Sequence, residues 1–378
     1  MKIIRTILII QSFLLAWPAA GQNFSFSGQA SLWGNYNQSG EYDLWSGGRY
    51  LPQMNYVFNP EDQGVFDLEA SVNINGMIGS QLFTHWQSDG QIKPYRLWAR
   101  YATPQLEVRL GLQKINFGSA TMIRPLMWFD QIDPRDPLKL TDGVWGVLGR
   151  YYFLNNANVW LWVLYGNEQP KTWETGNTSQ NRPEAGARLQ LPVPRGEVAL
   201  SAHHRLVDFS MVEPDFAGQD LLPENRIGID GKWDVEVGLW FEAAWFHRPQ
   251  RAGMFANQML ATLGTDYTFG LGNGLNVILE QLLVSYDQKL LALNDPFHFS
   301  VLSVSYPFGF SDNLNAMVYY DWNHSNSYTM LTWSHQVNQF SFYLLGYHNP
   351  VDYQIPLSTG QANLFAGTGV QVMLVFNH

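Results

Sequence analysis

The stretch that decides the fold is Phe66-Asp67-Leu68-Glu69-Ala70-Ser71-Val72-Asn73-Ile74-Asn75. Its apolar and polar residues alternate strictly, and period two is the spacing of a β-strand with one apolar and one polar face. The pattern recurs along the chain. Tyr95, Leu97, Ala99 and Tyr101 alternate with Arg96, Trp98 and Arg100, and Leu106, Val108, Leu110 and Leu112 with Glu107, Arg109, Gly111 and Gln113. Ala185 to Leu191 and Val235 to Phe241 repeat it, each interleaved with Glu, Gly, Arg, Gln or Trp. No stretch carries a convincing helical period.

Alternation alone fits a water-soluble sandwich, apolar face inward, or a membrane barrel, apolar face outward. The connections favour the barrel. Short turns centre on Asn59-Pro60, Thr103-Pro104, Asn155-Asn156, Pro194-Arg195, Asp234, Gly270–Gly274, Gly309–Asp312 and Val337-Asn338. Longer polar segments alternate with them, near 38–49, 78–91, 116–142, 167–181, 208–222, 249–257, 285–296 and 349–365, with a brief exception around Ser325–Ser327. Tight periplasmic turns and long extracellular loops give this asymmetry. The expected fold class is all-β, a transmembrane antiparallel up-and-down barrel of 18 strands with both ends in the periplasm. Sixteen strands stay open, because 43–58 and 323–350 are the least regular segments.

Composition agrees. The chain has 23 Phe, 15 Trp and 18 Tyr but only 14% charged residues, which suits a lipid-facing band with aromatic girdles. It has no cysteine, so neither a disulfide framework nor thiol chemistry is available. A formal net charge of −10 argues against nucleic acid as a partner. Lys2 and Arg5, the apolar run Ile7–Leu15 and the small residues Ala19-Ala20-Gly21 read as a cleaved export signal, residues 1–21, followed by a single barrel domain, 22–378. The apolar run is shorter than the roughly 20 residues of a spanning helix. The predicted location is the bacterial outer membrane, with its lipid and, during biogenesis, the barrel-assembly machinery as partners. The last strand, Gly369 to Phe376, resembles the C-terminal signal read by that machinery, although Asn377 and His378 follow its aromatic residue.

Sorting faces by alternation gives a charge map of the lumen. A basic wall is expected from Arg96, Arg100, Arg109, Arg150, Arg188 and Arg205, and an acidic wall from Glu236, Glu242, Asp266, Glu280 and Asp321. Glu107 and Asp230 interrupt the map, and Asp67 and Glu69 add acid near its start. Opposed walls create a transverse field that orients charged or dipolar solutes. The rival reading pairs these charges into a closed lumen, but a barrel of 18 strands leaves more space than side chains alone fill.

Residues 116–142, NFGSATMIRPLMWFDQIDPRDPLKLTD, are the longest connection and too apolar to suit a disordered loop. They are expected to fold inward as a constriction, with Arg124, Trp128, Asp130, Asp133, Arg135 and Asp136 as its chemistry. Here the chain resembles a known group. The run Gly111-Leu112-Gln113-Lys114-Ile115-Asn116-Phe117-Gly118, then Asp133-Pro134-Arg135-Asp136-Pro137, then Gly143-Val144-Trp145-Gly146, is similar to porin-like outer-membrane families, nearest the alginate-export type of 18-stranded barrel. The resemblance implies a channel. In the alginate exporters an arginine-rich lumen selects an anionic polymer; the comparable acidic set here points away from that cargo.

Passive passage of small polar or charged solutes is therefore the expected function. The alternative is a surface-binding barrel, lectin or adhesin-like, with a closed lumen and loop aromatics Trp45, Trp86, Trp173 and Tyr353 for stacking on sugars. Neighbours on a strand face opposite ways, so His203 and His204 cannot chelate one metal; His203 should face the lumen beside Arg205. No nucleophile motif such as G-x-S-x-G occurs, and neither metal, cofactor nor catalysis is expected.

Overall fold

In a computed structural model of the chain, the described residues are 23–378 apart from 41, 60–63, 83, 211, 213–220, 291 and 352–363. The expected export signal, residues 1–21, lies outside them. Eighteen antiparallel strands form one closed barrel. In chain order they are β1 (Phe24–Asn37), β2 (Leu44–Phe58), β3 (Val65–Gln81), β4 (Thr84–Ala102), β5 (Leu106–Gln113) and β6 (Val144–Tyr152). Next come β7 (Asn158–Leu164), β8 (Glu184–Val193), β9 (Gly196–Asp208), β10 (Leu222–Asp234), β11 (Gly238–His247) and β12 (Asn257–Phe269). The last six are β13 (Leu275–Asp287), β14 (Phe297–Pro307), β15 (Asp312–Asp321), β16 (Asn326–Val337), β17 (Phe340–His348) and β18 (Thr368–Asn377). A two-residue strand, Asn177–Thr178, extends the sheet beside the end of β9.

Each strand pairs with its neighbour in sequence, and β1 pairs with β18 from Gln29↔Asn377 to Asn37↔Gly369. The seam runs one residue further, because the Gly28 and His378 backbones exchange bonds of 2.9 and 3.0 Å. His378 keeps the face of Val370, Val372, Leu374 and Phe376, and its ring stacks on Phe376 and Tyr50.

Burial decides which face is which. On β10, Glu224, Arg226 and Asp230 are at most 2% exposed, whereas Ile227 and Ile229 are 46–47% exposed. Polar inside and apolar outside is the reverse of a water-soluble sandwich, and it makes the outer face a lipid-facing one. Aromatic pairs stand two residues apart at the turn end, Tyr151/Phe153, Tyr267/Phe269 and Tyr306/Phe308, and at the loop end, Trp245/His247 and Tyr320/Trp322. They bracket the apolar band as interfacial girdles do.

Seven of the short turns lie where the sequence places them; the one at Asn59-Pro60 falls partly outside the described residues. Arg195 and Asn338 adopt left-handed backbone (φ 59° and 52°), the conformation that a tight hairpin requires. One loop departs from expectation. Residues 78–91 are mostly strand, because β3 and β4 continue through them as a long hairpin with Ile74↔Ile92, Ile78↔Ser88 and Ser80↔Trp86 in register. Gly79, Gly90 and a polar run resemble a loop in sequence, but cross-strand pairing overrides that signal. Trp45 likewise lies on β2, buried against Gly79, rather than in a loop. The connection between β11 and β12 contains a short 3-10 helix, Gln250–Ala256.

Candidate functional site

The barrel's interior is organised by the segment between β5 and β6, residues 114–143. Its middle, Ala120 to Phe129, is apolar and has no strand partner, so its backbone N–H groups need acceptors from elsewhere. Inward-facing carboxylates of the wall supply them. Ser119 Oγ donates to Asp230 on β10 (3.0 Å), and Ala120 N–H to Glu242 on β11 (2.9 Å). Glu280 on β13 accepts the N–H groups of Thr121 (2.7 Å), Met122 (3.1 Å) and Ile123 (2.6 Å). Leu126 N–H returns to Glu242, and Thr262 Oγ1 donates to the Ile123 carbonyl at 2.9 Å. Gly118 is required here. Its φ is +110°, and a Cβ would lie 2.4 Å from Glu242 Oε2.

The side chains of this stretch then pack on the wall. Trp128 and Phe129, 1% and 3% exposed, meet Phe117, Trp162, His203 and Phe246 in edge-on or tilted contacts. Gly228 on β10 makes room, since a Cβ there would lie 2.3 Å from Leu126 Cδ2. Arg124 fastens the segment to itself, donating to Asp130 (3.0 Å), the Asn116 side chain (2.6 Å) and the Phe117 carbonyl (2.8 Å). Burial works against its charge, but Asp130 and Glu242 outweigh that and hold the guanidinium more firmly protonated than usual. Trp173 reaches in from the next long loop and donates to the Arg124 carbonyl at 2.7 Å. It is 4% exposed, so of the four aromatics read as stacking platforms only Trp86 (64%) is both described and open; Tyr353 lies outside the described residues.

The segment's return half crosses to the other side of the lumen. Arg135 pairs with Asp133 and lies over the Phe365 ring. Asp136 is half-buried, and that desolvation pushes its pKa above the usual range despite the Leu138 N–H and nearby Arg49. Arg96 on β4 then donates to the Thr141 carbonyl at 2.9 Å, and Lys93 pairs with Asp142 at 2.5 Å.

Two ionic regions result. On β8 to β11 the charges are sealed. Arg188 pairs with Asp230 at 2.6 Å, His203 Nε2 lies 3.2 Å from Glu184, and Arg205, Arg226 and Arg248 converge on Glu224. Glu174, from the loop before β8, joins by accepting from Arg205 and Arg226. The three arginine side chains and Glu224 are 0% exposed. On β3 to β6 the charges are reached by solvent. Arg100 contacts Asp67, and Glu107 serves Arg100, Arg109 and Arg150 together. Side-chain exposure here is 31% for Arg100, 16% for Arg109 and Arg150, and 30% for Lys93. Arg109 and Arg150 lie over the rings of Trp98 (4.7 Å) and Trp160 (3.8 Å), which orient the guanidinium planes.

All six arginines of the expected basic wall sit on the inner face, but Arg188 and Arg205 belong to the sealed network. Of the acidic set, Glu242 and Glu280 hold the inner segment, Asp266 lies inward near the turn end, and Asp321 accepts from the Asn323 and His324 backbones. Glu236 is a correction. It occupies the tight turn between β10 and β11 at φ 98°, exposed, because the turn takes up Val235 to Val237 and breaks the alternation that placed it on a wall. Glu224, Arg226, Arg248 and Glu174 escaped the sequence reading. Glu224 and Arg226 share the inward parity of Asp230. His203 faces inward and His204 outward, as alternation requires. Among the described residues no three His, Asp or Glu side chains are grouped to hold a metal ion.

No family model matches the chain, and no curated protein matches it. The alginate-export likeness therefore stays a likeness of motif. Solved structures do match. Pseudomonas aeruginosa OccD3 (OpdP) superposes with a TM-score of 0.58 at 9% identity, over 94% of this chain and 91% of the other. Acinetobacter baumannii OccAB1 gives 0.55 at 10% identity over 94% and 96%, and OccAB2 from the same organism 0.55 at 10% over 94% and 98%. The fold is that of a porin-like outer-membrane barrel.

Proposed function

We propose that the protein is an outer-membrane channel for passive passage of small polar or charged solutes, narrowed by residues 114–143. The observation that carries this reading is the asymmetry of the lumen. Ionic side chains on β3 to β6 face inward yet are reached by solvent, whereas those on β8 to β11 are sealed beneath the inner segment. An aqueous path along the β3–β6 arc accounts for the first, and a segment pressed on the opposite arc accounts for the second. The barrel neighbours support the reading at the level of fold.

The solute class follows from the open arc's chemistry. On β3 to β6 the inward cations Lys93, Arg96, Arg100, Arg109 and Arg150 outnumber the acids Asp67, Glu69 and Glu107, so positive charge is in excess and the path should favour anions. Planar-bilayer recording of the purified protein tests the reading. Step conductance is expected from the parent, with larger steps from a variant lacking residues 120–140. Silence from both would leave a closed, surface-binding barrel as the better account.

A further inference from the structure

Glu242 and Glu280 look like pore lining in the sequence, but their partners are not those of groups that meet a solute. Every N–H from Ala120 to Ile123, and that of Leu126, ends on one of these two carboxylates. Both side chains are 0% exposed. Glu280 is itself held by Trp240 Nε1 at 3.0 Å, and Trp240 is seated against Gly264, where a Cβ would lie 2.1 Å from that nitrogen. The neighbouring charges are also committed: Arg124 to Asp130, and Asp230 to Arg188.

We propose that Glu242 and Glu280 are positioning residues, a two-carboxylate latch that holds residues 118–126 against β10 to β13 and so sets the width of the path. They act by place and acceptor geometry, with no contact to the solute. A carboxylate offers acceptors on both oxygens, whereas an amide presents a donor on one side, so Gln cannot serve all these N–H groups. This inference rests on reading 114–143 as the constriction.

The chain has no cysteine, so one introduced thiol is a clean reporter. Met127, 1% exposed, is the site. The folded full-length protein carrying Met127→Cys is treated with a charged, membrane-impermeant methanethiosulfonate, and Trp86→Cys, at a position 64% exposed, gives the rate of an open thiol. The Met127→Cys thiol should be protected. Adding Glu242→Gln and Glu280→Gln should speed its modification roughly tenfold or more, from loss of charge-assisted hydrogen bonds. Gly118→Val, which crowds Glu242 without altering any charge, should do the same, and it stands in if the double variant fails to fold. Rapid modification of Met127→Cys alone would overturn the docked segment itself. Protection of that thiol in every folded variant would overturn the latch and leave the docked segment standing.

Discussion

The two arcs of the lumen use the same residue types to opposite ends. On β8 to β11, three arginines and two glutamates interlock at 0–4% side-chain exposure, and the ion pairs fix loops to wall. On β3 to β6, Arg100, Arg109 and Arg150 surround Glu107, Arg100 also contacts Asp67, and the three arginines keep 16–31% exposure. Charge type is therefore a poor guide to role inside a barrel. What distinguishes the arcs is whether a second layer of chain covers them. Residues 114–143 and Trp173-Glu174 cover the first, and the return half of the segment touches the second at Thr141. Covered ions must be paired closely, since an unpaired charge there is severely unfavourable. Uncovered ones can stay in excess, and under the proposed function that excess is what solutes would meet.

Variants that treat the arcs differently can break this comparison. The largest effect belongs to Glu224→Ala, which leaves Arg205, Arg226 and Arg248 converging on an empty place. A loss of about 3–5 kcal/mol is expected for breaking a buried network from one side. It would be read as a large fall in the temperature at which the barrel loses its heat-modifiable gel mobility, with reversal potential in surviving channels near the parent's. Next is removal of 120–140, expected to raise single-channel conductance several-fold while the barrel still assembles, because the strands retain their ladders.

A smaller effect is expected from Arg100→Gln. Reversal potential in a salt gradient should move toward cations, with little change in thermal stability, since a part-exposed pair contributes roughly 0–1 kcal/mol. The smallest comes from Asp136→Asn. Burial raises the Asp136 pKa, so its charged form weakens the native state above that raised value and the penalty is gone below the ordinary aspartate value. The variant should gain slightly in melting temperature at pH 8 and nothing at pH 3. Equal gains at both would show that Asp136 does not titrate in this way.

Much of this architecture was legible in the primary structure. Period-two alternation and unequal connections pointed to 18 strands, with 16 left open, and to the inward face, because a two-residue repeat leaves little freedom once one face is fixed. Partnership was harder to see. Arg188 and Asp230 lie 42 residues apart and Thr121 and Glu280 159 apart, and no local pattern encodes such meetings. Glu236 was misplaced because its parity matches that of Trp240 and Glu242, while the residue itself lies in the turn before that strand begins. The 78–91 hairpin was missed because glycines that mark loops also occur in strands whose faces carry no packing load. The inward course of 116–142 was visible as apolarity without a helix or strand period, but its acceptors were not.

The central claim is that solutes pass along the β3–β6 arc and not along the β8–β11 arc. Reversal potential in a salt gradient, compared between Arg109→Gln with Arg150→Gln and Arg188→Gln with Asp230→Asn, tests it most directly. The account predicts a clear shift toward cations for the first pair and a parent-like value for the second. An unchanged potential in the first, or an equal shift in both, would contradict it.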